Sequence, residues 1–215
     1  PAPNDFATSE TTIVYYADDE SEIGRFSSEN RVSVPLEQVP EHVQQAVLAA
    51  EDRTFYENRG ISIPGIARAL WNNLTSDTTQ GGSTITQQYV KNVLFSQAET
   101  EEERAAAVET SYLRKLRELR LAMAAEEQFT KDQILERYLN IAYFGGGAYG
   151  VEAAAENYFD KNVEQLSLAE CAILAGLPQA PSRYSPYRNY DRAMKRQKYV
   201  LERMVKEGFI TQVEA

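Results

Sequence analysis

The chain has 215 residues, with 22 Lys+Arg against 32 Asp+Glu and a formal charge of −10, a balance that speaks against a broad basic face for duplex nucleic acid. Its one cysteine, Cys171, and one histidine, His42, exclude disulfide frameworks, zinc fingers, His-ligated metal centres and Cys–His nucleophile pairs. No apolar run reaches the ~18 residues that span a bilayer, and the start Pro1-Ala2-Pro3-Asn4 lacks the charge and apolar core of a signal peptide.

Residues 12–34 carry the strand-like text. Thr12-Ile13-Val14-Tyr15-Tyr16 is β-branched and aromatic, a turn-like acidic run follows, and 23–26 and 31–34 complete a small β appendage. From Leu36 onward the text is helical. A first helix is expected over 41–52. A second starts with Pro64 in its first turn and carries Ile66, Leu70 and Leu74. A third opens after Gly81-Gly82, with Ser83 and Thr84 as caps and Ile85, Tyr89 and Val93 on one face. A long helix covers 102–127, with Tyr112, Leu116, Leu119 and Met123 as its apolar stripe. The next begins at the capping box Thr130-x-x-Gln133 and ends in Tyr143-Phe144-Gly145-Gly146-Gly147. A short helix over 151–158 follows. Another starts at the capping box Ser167-x-x-Glu170 and stops before Pro178, and the last spans 191–207 and closes at Gly208. Helices do not alternate with strands, so the fold class is mainly α.

Gly145-x-Gly147-x-x-Gly150 matches a dinucleotide fingerprint in letters only, because a helix precedes it where the fingerprint needs a strand. It reads as a tight connection. Glu51-Asp52 closes the apolar run Ala46-Val47-Leu48-Ala49-Ala50. A carboxylate delivered to the edge of a core is partly desolvated, which raises its pKa and suits it to act as a base near neutral pH; a pair of solvated surface acids is the plain alternative. Gly81-Gly82-Ser83-Thr84-Ile85-Thr86-Gln87-Gln88 sets small residues, hydroxyls and amides at a helix start, which suits either an anion or an ordinary cap. In Arg114-Lys115-Leu116-Arg117-Glu118, Glu118 shares one side of a helix with Arg114 and Lys115. The group reads as a local anion site, in which Glu118 orders the cations and is a poor proton donor, or as a charged solvated face. The acidic stretch over 96–103 reads as a connection near a membrane or as a solvated helix start.

In combination and order these segments are specific. Glu51-Asp52-Arg53-Thr54-Phe55-x-x-x-x-Gly60 is followed by Gly81-Gly82-Ser83-Thr84-Ile85-Thr86-Gln87-Gln88-Tyr89-Val90-Lys91-Asn92. Then come Arg114-Lys115-x-x-Glu118, Lys131-x-x-Ile134-Leu135-Glu136-x-Tyr138-Leu139-Asn140, and Arg196-x-x-x-Val200-Leu201. The series resembles the peptidoglycan glycosyltransferases of glycosyltransferase family 51, over about residues 12–212. The ending Glu207-Gly208-Phe209-Ile210-Thr211 is similar to the bifunctional class A type.

The resemblance implies a lysozyme-like helical fold with a small N-terminal β appendage, residues 1–35 being that segment and 36–215 the glycosyltransferase domain. It implies polymerisation of lipid II into β-1,4 glycan strands, with inversion and release of undecaprenyl pyrophosphate. The expected site is the outer face of the cytoplasmic membrane, with a transmembrane anchor and a transpeptidase domain beyond this chain. The expected partners are lipid II, the growing glycan chain and the membrane surface, with residues around Val93, Leu94 and Phe95 dipping into lipid. By resemblance Glu51 is the base, and Glu118 is the second essential acid. Asp52, Ser83, Gln87, Gln88, Lys91, Arg114 and Lys115 line the substrate site, while Gly60, Gly82, Glu136, Asn140 and Arg196 hold the structure. Some relatives respond to a divalent cation (Mg or Mn), but no dedicated ligand set is readable here. The chain departs from the family at Asn58, usually histidine, and at Thr110, often arginine, so anion binding rests on fewer cations or borrows Arg117 or Arg104. A lysozyme-like hydrolase and a non-catalytic wall-binding domain are the rival readings.

Overall fold

The computed structural model describes residues 12–15, 22–26, 30–61, 82–98, 100 and 112–215. The helix expected at Pro64 lies outside them, as do Gly81, Arg104 and Thr110. Strands β1 (Thr12–Tyr15) and β2 (Glu22–Phe26) form an antiparallel hairpin. Eight helices are described. They are α1 (Glu41–Glu51), α2 (Ile85–Ser96), α3 (Tyr112–Gln128), α4 (Lys131–Ile141), α5 (Val151–Phe159), α6 (Leu168–Gly176), α7 (Pro181–Tyr184) and α8 (Tyr190–Lys206). The described fold is mainly α, as the sequence implies, with single 3-10 turns at Leu36–Gln38 and Val163–Gln165.

The helix boundaries follow from local chemistry. Thr84 caps α2 by accepting the Gln87 N–H, and full capping boxes open α4 at Thr130/Gln133 and α6 at Ser167/Glu170. Helix α8 starts where the Asn189 side chain accepts the Arg192 N–H, and it gives way to Gly208 at φ +77°, a left-handed turn that glycine adopts without strain. Helix α1 packs against α6 and α8, and α2 packs on α3 and α4. Val43, Ala46 and Val47 of α1, Ile134, Leu135, Tyr138 and Leu139 of α4, and Ala172 and Leu174 of α6 are fully buried in one continuous core. Among the described residues no helix is long and apolar enough to cross a membrane.

Two expectations need correction. The helix after Thr130 ends at Ile141, because Ala142 turns extended and Tyr143–Gly145 becomes a strand, β4, hairpinned to β5 (Ala148–Tyr149). Gly145, Gly146 and Gly147 all take positive φ, which is the geometry such a turn needs. A short strand β3 (Asn30–Arg31) then pairs in parallel with β5. The stripe read on the long helix is also wrong. Leu116 and Met123 are 63% and 50% exposed, whereas Glu118, Ala122 and Ala125 face inward. The inner face of α3 meets a polar site and closely packed helices, so it carries a carboxylate and small residues, while Leu121 packs on the core and Leu113, Leu116 and Met123 point outward.

Gly150, which begins α5, has φ +86°, and a Cβ there would lie 2.8 Å from the carbonyl oxygen of Asn140. Replacing Gly150 with alanine adds backbone strain and a backbone clash, and is expected to cost about 3 kcal/mol in urea denaturation.

Candidate active site

Glu51 closes α1, and its neighbours come from three other helices. Gln88 Nε2 on α2 donates to Glu51 Oε2 at 2.9 Å, and Arg196 Nη2 on α8 lies 3.5 Å from Oε1. Tyr138 of α4, fully buried, donates its hydroxyl to Gln88 Oε1 at 3.2 Å. The Glu51 side chain is 9% exposed. Burial pushes its carboxyl above the usual value of 4.5, against the opposing pull of the Gln88 hydrogen bond and the charges of Arg196 and Lys91. Oε1 is buried and has no hydrogen-bond partner among the described residues. Such an oxygen can accept a proton from a hydroxyl brought against it.

The neighbouring carboxylate is differently engaged. Asp52 Oδ2 accepts the Ile85 N–H at 3.2 Å, which places a negative charge at the start of α2, and Asn58 Nδ2 donates to both oxygens at 3.1 Å. Burial raises its pKa as well, offset first by Asn58 and then by the Ile85 N–H. Asn58 in turn accepts the Gly60 N–H through Oδ1. Asp52 therefore ties the loop after α1 to the start of α2.

Beside the acid lies the cationic cluster. Glu118, 3% exposed, bridges Arg114 and Lys115 with contacts of 2.6 Å each. Lys115 Nζ also donates to Ser83 Oγ at 2.8 Å and to Gln87 Oε1 at 2.9 Å. Gln87 is itself anchored, its Nε2 donating to the carbonyl of Gly60, which the Thr84 hydroxyl shares. Adjacent residues of α2 thus face two ways: Gln88 holds the acid and Gln87 holds Lys115.

The other expected residues sit further off. Glu136 Oε2 accepts the Leu36 N–H and Asn140 pairs with both backbone groups of Val34, so they fasten the incoming N-terminal segment to α4. Gly60 takes φ +79° against Ala122 of α3. Gly82 is half-buried. Val93 is turned into the core, which corrects its expected place in lipid. Two residues that sequence reasoning did not place at the acid are Tyr138 and Arg196. The Tyr-Leu-Asn run and the Arg-x-x-x-Val-Leu run were visible, but only the fold brings them to Glu51. Among the described residues no group of three or more His, Cys, Asp or Glu is arranged to hold a metal ion.

A buried carboxylate and a cluster of cations held by adjacent residues of one helix, in a helical fold, suit a group-transfer enzyme. Residues 19–205 match the transglycosylase family, and the chain belongs to it. It is 47% identical over 207 residues to penicillin-binding protein 1A of Mycobacterium tuberculosis, covering 95% of this chain and 24% of that protein. It is 45% identical over 217 residues to penicillin-binding protein 1A of Mycolicibacterium smegmatis, covering all of this chain and 27% of that protein. The crystal structure of penicillin-binding protein 1A from Haemophilus influenzae aligns with a TM-score of 0.50 at 25% identity, over 97% of this chain and 20% of that one. The chain therefore spans about a quarter of the length of its curated relatives.

Proposed function

We propose that the chain is the peptidoglycan glycosyltransferase domain of a longer cell-wall enzyme, and that it polymerises lipid II into β-1,4 glycan strands. Glu51 takes the proton of the acceptor 4-hydroxyl, whose oxygen attacks the anomeric carbon of the growing chain with inversion. The bond from that carbon to the undecaprenyl pyrophosphate breaks, and its electron pair leaves with the phosphate oxygen. Lys91, Arg114 and Lys115 receive the developing negative charge, and Glu118 holds the last two in place. The observation that carries this reading is the pair of adjacent glutamines on α2, which set the buried acid and the cation cluster side by side.

The substrate's lipid implies work at the outer surface of the cytoplasmic membrane, with an anchor and a transpeptidase domain outside this chain. Support comes from α3, whose Leu113, Leu116 and Met123 are exposed together with Arg117 and Arg120. That is the mixed apolar and basic face of a helix lying at a lipid surface. Making Leu113 and Leu116 serine is expected to lower co-sedimentation with anionic phospholipid vesicles several-fold; unchanged binding would remove this face from the membrane.

The function itself is tested with labelled lipid II in detergent, the products being run on a gel with and without muramidase. A muramidase-sensitive ladder is expected. Short free saccharides in its place would make the chain a hydrolase, and no turnover by a folded chain would make it a binding domain.

A further inference from the structure

Glu51 reaches its place through contacts that its own helix does not supply, and the two that matter here lie on α4 and α8. The Tyr138 hydroxyl donates to Gln88 Oε1 at 3.2 Å. The ionised carboxylate can only accept, so the Gln88 NH₂ faces Glu51 Oε2, and the Tyr138 hydroxyl holds the amide in that orientation by donating to the oxygen left on its other side. One oxygen of the acid is thereby tied. Arg196 deals with the other oxygen differently. Its guanidinium is clamped between the rings of Tyr184, at 5.5 Å, and Tyr199, at 5.0 Å, and its Nε donates to the carbonyl of Gly176. Held in this way it brings charge to 3.5 Å from Oε1, too far for a hydrogen bond, and Oε1 keeps both lone pairs. The lack of a side chain at Gly176 is part of the clamp, because a Cβ there would stand 2.8 Å from Arg196 Cγ.

We propose that Tyr138 and Arg196 are positioning residues for Glu51, Tyr138 helping to fix Oε2 through Gln88 and Arg196 setting its charge beside Oε1, the oxygen without a hydrogen-bond partner among the described residues, as the atom that takes the acceptor proton. The inference rests on the reading of Glu51 as the base. It gives Arg196 more than the structural role its motif implies, and it separates the two carboxylate oxygens by task. The groups facing Glu51 are Asp52 at the end of α1, Gln88 and Lys91 on α2, Tyr138 on α4 and Arg196 on α8. Of these, Arg196, Lys91 and the Gln88 amide favour the charged form, while burial and Asp52 oppose it.

The test is the pH profile of lipid II polymerisation for the native chain, Arg196→Met, Arg196→Lys, Tyr138→Phe and Glu51→Gln. Losing the guanidinium removes a stabilising charge, so Arg196→Met is expected to move the acid limb of kcat/KM up by about one pH unit, which is the low end of what a close opposite charge does. The rate at neutral pH falls accordingly, with KM nearly unchanged, and activity returns as pH rises. Arg196→Lys is expected to bring most of the limb back. Tyr138→Phe keeps the packing and loses only the oxygen, so it remains informative should Arg196→Met fail to fold. Its limb is expected to move in the same direction by less, with kcat rather than KM lowered.

A uniform loss across pH with an unmoved limb in both Arg196→Met and Tyr138→Phe would overturn the proposal and leave both residues structural. An Arg196→Lys profile identical to that of Arg196→Met would remove charge as the reason for Arg196. Glu51→Gln keeps the two failures apart. Activity in that variant overturns the base reading itself, whereas a dead Glu51→Gln beside unshifted limbs overturns only the positioning roles.

Discussion

Replacing Glu51 with glutamine is expected to lower polymerisation by about 10³-fold or more at every pH, the scale of a lost general base, and at the same time to raise the melting temperature. The two effects have one cause. The Glu51 carboxyl is held above its ordinary value of 4.5 by burial, and the hydrogen bond of Gln88 and the charges of Arg196 and Lys91 offset that penalty only in part. A carboxyl whose folded pKa is raised stabilises the fold below its unfolded pKa and loses that contribution as pH climbs through the folded value. Above that folded value the native chain carries a buried charge that the fold disfavours. Glutamine has the same shape, still accepts from Gln88 and never ionises. Scanning calorimetry of the two proteins from pH 4 upward should therefore show melting temperatures that diverge as pH rises above 4.5, the mutant melting higher. A mutant that melts lower at neutral pH would mean that the unpaired Arg196 outweighs the relieved carboxylate.

The helices were legible wherever local chemistry decides. Capping boxes at Thr130/Gln133 and Ser167/Glu170, the cap at Thr84 and the stop at Gly208 lie within a residue or two of their expected places. What could not be read is what depends on partners far along the chain. Tyr143–Gly145 has no stronger strand signal than its neighbours and becomes a strand because Ala148–Tyr149 returns beside it. The face of α3 was misjudged for a related reason. Periodicity shows that large apolar residues share a side, but not that this side is left in solvent while a carboxylate and alanines are buried.

The site divides along the same line. Glu51, Glu118, Arg114 and Lys115 stand out because acids at a helix end and cations around an acid are unusual within a few residues of sequence. Tyr138 and Arg196 do not, since each lies in an ordinary amphipathic helix and reaches Glu51 only across 87 and 145 positions of the chain. Gln87 and Gln88 look equivalent in sequence. A single step along the helix gives them different tasks, because successive residues on a helix face about 100° apart.

Glu118 gives the second large effect. Its carboxylate is 3% exposed and has Arg114 and Lys115 at 2.6 Å on either side, while both cations keep partial contact with water. Changing Glu118 to glutamine removes the shared anchor. Arg114 then loses its ion pair to Glu118, and Lys115 keeps Ser83 Oγ and Gln87 Oε1 among the described residues. Charges that are not fixed before the leaving group departs must reorganise during the step, and that forfeits much of their effect. The expected loss is about 10²–10³-fold in kcat/KM, the scale of removing one preorganised stabilising group, with KM for the lipid-linked donor rising. Lys115→Met should fall in the same range. If Glu118 acts through the cations, the double variant Lys115→Met/Glu118→Gln should be little worse than either single one, because residues that work as a unit fail together. Losses that multiply would instead give Glu118 a task independent of Lys115, such as contact with the departing group itself. Circular dichroism should find the fold intact in all three, since at these partly exposed positions the cations regain water when the carboxylate goes.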